Sequence, residues 1–316
     1  MNLDAVISEP FARLLTLHNA FNRSIKVNFG ALALLSNGST GKGTSEAVAL
    51  PTGSEPWGRE TRWRNPAEPL RDAAIFLAEL GIARAAAAFE DYADGAKGEF
   101  DRAALTQEGA KRYGTSALHG FDAIVGVDVA ALSDLTRLAE FFDTARNCVV
   151  HRSNRASAYL ASLRADPALD ETLRRWPKRM GKWTVSLPAV GEGHVVEWRP
   201  RHAILASDVY YRAARVLDRR LVARMGPTAL TRMAVHWAFF ADPTAPCASK
   251  HSPEIIVRAQ LTGRYKAKGL TIADTIDLLR KGGQWDAVRA AWNERFPDGP
   301  ETALARLRRA RKGKKP

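Results

Sequence analysis

The sequence predicts a mostly helical protein. Ala, Leu and Arg, which favour helices, are abundant, and Asn-Gly or Asp-Gly turns between alternating apolar runs are few. The 316 residues, 46% of them hydrophobic, are enough to bury a core in one large domain or two ordinary ones. We therefore expect an all-α fold and do not expect an all-β one.

The first hundred residues are predicted to hold two long helices separated by a linker. Apolar residues recur at three- and four-residue steps over residues 8–21, which predicts a first helix whose extension further along the chain is left open. Residues 36–69 are rich in Gly, Ser, Thr and Pro, which predicts a long loop or linker. A second helix is predicted over residues 70–92, with Asp94-Gly95 as its stop.

The middle of the chain is predicted to hold two further helices and a hairpin. A helix with a strong apolar face is predicted over residues 131–145. Two apolar runs at 182–187 and 194–198 flank a turn and predict a small β-hairpin insertion. A long helix is then predicted over residues 201–225, closed by Pro227.

We expect three regions along the chain. Residues 1–65 are predicted to be an N-terminal helix with a Gly/Ser/Pro-rich linker, residues 66–227 the main helical domain, and residues 228–316 an additional C-terminal helical region with a basic tail. The helices predicted in the last region span residues 230–240, 254–268, 271–280 and 285–296.

The charge balance favours a polyanionic partner. Lys and Arg number 47 against 34 Asp and Glu, a formal charge of +13. About half of the surplus lies in residues 301–316, where seven basic residues and one acidic residue give a local +6. Contact between this tail and nucleic acid is one interpretation, and a solvated, mobile tail is the other.

The composition also bears on compartment and cofactors. Two cysteines form neither a disulfide framework nor a thiolate metal cluster, so we expect a cytoplasmic protein. No apolar run is long enough for a membrane span, and the N-terminus is not typical of a signal peptide. The Gly-rich segment 36–44 lacks the spacing of a phosphate-binding loop, and the histidines lack metal-ligand spacing. We expect neither a cofactor nor a metal ion.

A polar group at the end of the third predicted helix is the candidate active site. Arg146 and Asn147 are followed, after three apolar residues, by His151. On an ideal helix Asn147 and His151 share a face, whereas Arg146 lies about 140° away from His151. For Arg146 and His151 to meet one phosphate, the helix must end or bend there, or a second subunit must complete the site.

This segment resembles the motif of the HEPN superfamily, an arginine followed after four to six residues by a histidine, commonly with asparagine directly after the arginine. The resemblance covers roughly residues 66–226, with the helix ending at Tyr92 similar to the first helix of such domains. It implies an all-α, HEPN-like four-helix bundle that dimerises and cleaves RNA without a metal ion, with Arg146, Asn147 and His151 as catalytic residues.

The residue types suit that chemistry. RNA supplies its own nucleophile, the 2′-hydroxyl, so the enzyme must deprotonate it, stabilise the phosphate and protonate the leaving oxygen. A histidine can act as base or acid near neutral pH, and an arginine presents a planar charged fork to phosphate oxygens. Asn147 has two open roles, orienting His151 or donating to the phosphate. Arg152 and Arg155 are candidate RNA-binding residues, with an ordinary solvated turn as the alternative.

The resemblance also implies partners. A homodimer would bring two motifs together across a two-fold axis. Such domains commonly act as toxins or antiviral (phage-defence) effectors, which implies an antitoxin or regulatory partner protein. The alternatives are a noncatalytic RNA-binding or scaffold protein of the same fold, and a DNA-binding regulator that uses the basic tail.

Overall fold

The computed structural model describes residues 1–39, 48–50, 61–63, 67–103, 132–176, 185–241 and 251–297. These residues are mostly helical, which confirms the all-α expectation at that level. A 3-10 turn at Leu3–Ala5 precedes α1 (Glu9–Ser39), α2 (Ala67–Arg102), α3 (Ser133–His151), α4 (Ala158–Ala165), α5 (Pro167–Arg175), α6 (Pro200–Val235), a π-helical turn (His236–Phe240), α7 (Pro253–Gly263), α8 (Ile272–Lys281) and α9 (Trp285–Arg295). Within the described ranges, no helix combines the length and the apolar character needed to span a membrane.

Helix α1 begins where the sequence predicts and extends well beyond Phe21. The Ser8 hydroxyl accepts a hydrogen bond of 3.2 Å from the Phe11 N–H and so caps the helix. The predicted linker holds two short antiparallel strands, β1 (Val48–Leu50) and β2 (Thr61–Trp63), with Val48 opposite Trp63. Three residues per strand are too few for a visible alternation of apolar and polar positions, so sequence patterning missed this pairing.

Helix α2 continues past Gly95, where the sequence predicted a stop. A β-carbon at Gly95 would lie 3.0 Å from Pro10 Cγ, so the glycine permits a close approach of the start of α1. The following turns bury Ala96, Glu99 and Phe100. Because tertiary burial outweighs the low helix propensity of one glycine, the prediction of a helix end at this position was wrong.

Helix α6 contains the break predicted at Pro227 and then resumes. Gly226 has φ 64° and ψ 177°, outside the helical region, and the next residues return to helix as far as Val235. Three helices predicted near the C-terminus are confirmed as α7, α8 and α9. Helix α8 has a capping box, in which Thr271 and Asp274 each accept a hydrogen bond from the other's backbone N–H.

The predicted hairpin is not confirmed. Residues 182–184 lie outside the described residues, and residues 185–199 form no strand. Val195 instead makes an isolated antiparallel bridge with Arg155, four residues after the end of α3. The apolar run therefore joins the turn that follows α3.

The described residues form two compact units. Those within Met1–Arg13, Asp91–Asp128 and Ala214–Pro316 belong to unit 1, and those within Leu14–Glu90 and Val129–Ala213 belong to unit 2. In the core of unit 2, a β-carbon at Gly81 would lie 2.7 Å from Ala203 Cβ, which marks close packing between α2 and α6. The predicted region boundaries at residues 65 and 227 stay a prediction.

Candidate active site

The end of α3 determines how the motif is presented. The carbonyl oxygen of Cys148 accepts hydrogen bonds of 3.0 Å from the N–H groups of both Arg152 and Asn154. Ser153 and Asn154 have positive φ values of 48° and 61°, which end the helix directly after His151. Arg146, Asn147 and His151 therefore all lie within α3, which neither ends nor bends between them, so a phosphate shared by Arg146 and His151 would require a second subunit.

Arg146 is held on both sides by hydrogen bonds. Its Nη2 donates to Glu90 Oε2 on α2 at 3.0 Å, and its Nη1 donates to Asn147 Oδ1 at 3.0 Å. The side chain of Arg146 is 28% exposed and that of Glu90 45% exposed, so the pair lies at the surface of unit 2. A guanidinium has five N–H donors, and the other three of Arg146 have no partner among the described residues.

His151 and Asn147 are both exposed. Within the described part of the chain the His151 imidazole makes no hydrogen bond or ion pair, so both ring nitrogens are accessible. The carbonyl oxygen of Asn147 is engaged by Arg146, which leaves its amide nitrogen as the group available to a ligand. Arg152 is exposed, and Arg155 donates from Nη1 to the Gly193 carbonyl at 3.2 Å.

A buried tyrosine supports α3 beneath this surface. The Tyr210 hydroxyl donates to Asp143 Oδ1 at 2.5 Å, and its ring stacks on Phe89 with centroids 5.2 Å apart. Burial, followed by the negative charge of Asp143, raises the pKa of Tyr210 well above its usual value. The tyrosine therefore stays a hydrogen-bond donor and ties α6 to the helix that carries the motif.

Asn154 connects the turn after the motif to two other segments. Its side-chain amide donates to Glu79 on α2 and to the Val196 carbonyl, and its Oδ1 accepts a 2.7 Å hydrogen bond from the Trp198 indole. Asn154 is 4% exposed, and its bonds to Val196 and Trp198 are shielded from water, whereas the bond to Glu79 is only partly buried. An asparagine just after a helix is a weak sign of a left-handed residue, and sequence reasoning missed this role.

Glu90 is the second residue whose importance the sequence understated. Its side chain is 45% exposed, and its ion pair with Arg146 joins two helices that the sequence pattern does not place side by side. Cys148 is buried, as expected for a small core residue next to the motif.

A separate polar cluster lies in the interior of unit 1. Tyr265 donates from its hydroxyl to Glu99 Oε1 at 2.9 Å, and Asp218 accepts a hydrogen bond of 3.1 Å from the Ser8 N–H. Glu99 and Asp218 are each 1% exposed. Burial, as the main cause, raises the pKa of Glu99 to about 7 and that of Asp218 to about 6. Nothing in the sequence pattern distinguishes these two carboxyl groups from exposed ones.

No cluster of three or more His, Cys, Asp or Glu side chains able to hold a metal ion occurs among the residues that the structure describes. The chain matches no known protein family, no curated protein and no solved structure in the comparisons made. The function must therefore be argued from the site itself.

Proposed function

We propose that this chain is a metal-independent endoribonuclease of the HEPN type, built on a four-helix bundle. The observation that carries the proposal is the last part of α3, where the His151 imidazole is exposed and Arg146, five residues earlier, has three donors without a partner among the described residues. Cleavage of an RNA phosphodiester by its own 2′-hydroxyl requires a side chain that transfers a proton and a fixed positive charge that stabilises the phosphate. His151 and Arg146 are side chains of these two kinds.

In the proposed reaction the 2′-oxygen attacks phosphorus as its proton passes to a base. The bond from phosphorus to the 5′-oxygen breaks, and that oxygen takes up a proton from an acid. The products are a 2′,3′-cyclic phosphate and a 5′-hydroxyl. His151 serves as base or acid, and the Arg146 guanidinium stabilises the phosphate oxygens as negative charge builds up.

Glu90 acts in this proposal as a positioning residue. Its carboxylate holds one side of the Arg146 guanidinium at 3.0 Å and so restricts the rotamers of a long side chain. The amide nitrogen of Asn147, on the helical face it shares with His151, is available to the phosphate. This favours the phosphate-binding role for Asn147 over the orienting one.

A homodimer would supply the two histidines and two arginines of one cleft. Two observations favour association of two copies through unit 2. Helix α2 exposes Phe76 and Leu80 to the extent of 58% and 49%, and α3 exposes Val150 to the extent of 52%, directly before His151. Phe76 and Leu80 lie four residues apart and so share a face of α2, and apolar side chains grouped on one exposed face are typical of an interaction surface.

Incubation of the purified chain with total RNA tests the proposal, beside the His151→Ala and Arg146→Ala variants. We expect each variant to lose roughly 10²- to 10⁴-fold in cleavage rate, and EDTA to leave the wild-type rate unchanged. Equal cleavage by all three proteins would eliminate the enzyme. Binding without cleavage by the wild type would favour the alternative, a noncatalytic RNA-binding or scaffold protein.

Mixing the two inactive variants tests the dimer. If the His and Arg of one site come from different copies, a mixed dimer contains one intact site, so equal mixing restores about a quarter of the wild-type rate. No recovery, with mixed dimers demonstrated by a tag, would place both groups of each site in one copy.

The biological role that we propose is RNA restriction in the cytoplasm, as a toxin or antiviral effector. Unregulated cleavage would harm the host, which implies an antitoxin or regulatory partner. Toxicity on expression of the wild type, absent for His151→Ala, is the expected result.

A further inference from the structure

A cavity of about 560 Å³ lies in unit 2 at the start of α6. Its apolar wall includes Leu187, Pro188 and Val190, and its polar side includes His194, Arg201 and His202. The wall is anchored, because Arg164 Nε donates to the Pro188 carbonyl at 3.0 Å. The volume falls in the range of small-ligand sites, and an apolar wall opposite a few polar groups is typical of such sites.

Each ring nitrogen of His202 faces an N–H donor, and a neutral imidazole can accept from only one of them. The backbone N–H of Arg199 donates to His202 Nδ1 at 3.0 Å. Burial, with the positive charges of Arg201 and Arg199, lowers the pKa of His202 to about 3, so the ring is neutral at pH 7. A neutral imidazole whose Nδ1 accepts must carry its proton on Nε2.

The proton on His202 Nε2 points toward a second N–H donor, that of Arg201. Nε2 of His202 lies 3.3 Å from Nε of Arg201, which also bears a hydrogen. Two N–H groups cannot satisfy each other, and His202 is only 1% exposed, so water reaches it poorly. An oxygen atom that accepts from both groups would satisfy the pair, and an anionic oxygen would do so best beside a guanidinium.

The surrounding charges favour an anion as well. Neither the Arg199 nor the Arg201 side chain forms an ion pair within the described ranges. Both lie at the N-terminal end of α6, where the helix dipole is positive. Among the described residues that line the cavity, Glu197 is the one carboxylate against two arginines, which gives this part of the lining a net positive charge.

The cavity is connected to the end of α3 by backbone hydrogen bonds. The N–H of Ala156 donates to the His194 carbonyl at 2.9 Å, and the N–H of Val196 donates to the Asn154 carbonyl at 3.2 Å. Asn154 follows His151 by three residues, which limits the separation of their Cα atoms to roughly 11 Å. One RNA strand is long enough to occupy both places.

We infer that this cavity is a subsite for one nucleotide of the RNA, with a phosphate oxygen between His202 Nε2 and the Arg201 guanidinium and the base against Leu187 and Pro188. The inference rests on the proposed function for the identity of the polymer. The requirement for an acceptor oxygen between two donors does not depend on that function.

The first test measures RNA affinity in the full chain carrying His151→Ala, so that binding is observed without cleavage. Arg201→Gln should weaken the binding of a short single-stranded RNA by roughly tenfold, the loss of one charge-assisted hydrogen bond. The matched control is Arg23→Gln, an exposed arginine of α1 that removes the same charge away from the cavity. Equal weakening by the two variants would overturn the subsite.

The second test reports on His202 directly. Spectra of the chain labelled with ¹⁵N at histidine, assigned with a His202→Gln variant, should show a neutral ring protonated on Nε2. Addition of adenosine monophosphate should shift the His202 signal, and adenosine should not. A ring protonated on Nδ1, or no shift with the monophosphate, would contradict the inference.

The two tests also separate the possible sources of phosphate. A shift with the monophosphate, combined with RNA binding that is no more sensitive to Arg201→Gln than to the control, would identify a site for a free nucleotide and overturn the RNA subsite. RNA binding that depends on Arg201, in a wild-type chain that does not cleave RNA, would contradict the proposed catalysis and support the subsite.

Discussion

Glu90 and Glu99, nine residues apart on helix α2, lie in contrasting surroundings. Glu90 has a side chain 45% exposed and an ion pair with Arg146 at 3.0 Å. Glu99 is 1% exposed, and its nearest polar partner is the Tyr265 hydroxyl at 2.9 Å. Among the described residues, Glu99 forms no ion pair.

The difference shows how environment assigns a role to one side-chain type. Glu90 acts as an anion that holds a guanidinium in place while both groups remain in contact with water. Burial disfavours the charged form of Glu99, so its pKa rises to about 7 and the buried carboxyl group holds its proton up to a higher pH than an exposed one does. Substitution of Glu90 should therefore affect the proposed RNA cleavage. Substitution of Glu99 should affect how the free energy of unfolding depends on pH.

The largest expected effect is a loss of stability on substitution of Asn154, the buried residue in the turn that follows Arg146, Asn147 and His151. Asn154→Ala leaves the Trp198 indole N–H unpaired, removes one of the two hydrogen bonds that the Val196 carbonyl accepts, and places alanine at φ 61°. We expect unfolding in urea to show a loss of about 3 kcal/mol, since an unpaired buried donor costs roughly 1–3 kcal/mol and alanine in the left-handed region costs roughly 1–2 kcal/mol.

Asn154→Gly separates the two causes. Glycine accepts positive φ without strain, so this variant should recover about 1 kcal/mol of the loss and no more. A loss below about 1 kcal/mol for the alanine variant would mean that Asn154 does not support the turn after the motif.

The next largest effect is on the pH dependence of stability. The pKa of Glu99 is raised from 4.5 to about 7 on folding, so the folded chain binds more protons between these values and the free energy of unfolding falls as pH rises through them. Glu99→Gln removes this fall, and its stability relative to wild type should rise by on the order of 2 kcal/mol between pH 4.5 and pH 8.

Asp218→Asn offers an independent check of the same cluster. The pKa of Asp218 is raised from 3.8 to about 6, so this variant should also flatten the pH profile, over a more acidic window. The free energy of unfolding is measured against pH by thermal or urea unfolding for the wild type, Glu99→Gln and Asp218→Asn. Parallel curves for the three proteins would show that neither buried carboxyl group has a raised pKa.

A smaller effect is expected at the exposed glutamate. Glu90→Gln weakens the hold on Arg146 and should reduce the single-turnover cleavage rate by roughly tenfold, with stability changed by less than about 1 kcal/mol. Asp91→Asn is the matched control, because Asp91 pairs with Arg13 instead. Equal rates for the two variants would remove Glu90 from the site.

The smallest effect is expected at Arg152. This side chain is exposed and has no partner within the described residues, so its contribution is a phosphate contact alone. Arg152→Ala should weaken RNA binding about threefold and reduce the slope of log affinity against log salt by about 0.7. An unchanged salt slope would support the alternative in which this residue belongs to an ordinary solvated turn.

Patterns within one segment predicted much of the fold. The start of α1, the apolar face of α3 and the positions of α7, α8 and α9 follow from apolar periodicity and capping residues, which act within a few turns of helix. The motif was also visible, because Arg146, Asn147 and His151 lie within six residues of one another.

What the sequence did not predict depends on residues far apart in the chain. Gly95 lies within α2 because Pro10 packs against it, and Val195 pairs with Arg155 rather than with a hairpin partner. The ion pair of Arg146 with Glu90 spans 56 positions, and the bond of Asn154 to Trp198 spans 44. A single sequence carries no record of such contacts.

By itself, then, the sequence determined the helical class, the basic charge and the identity of the residues at the end of α3. Only the tertiary structure decided which carboxylate faces Arg146, which one is buried away from water and which donors converge at His202. The physical reason is that helix formation is governed by neighbours within about four residues, whereas the burial and pairing of charge depend on where separate segments meet.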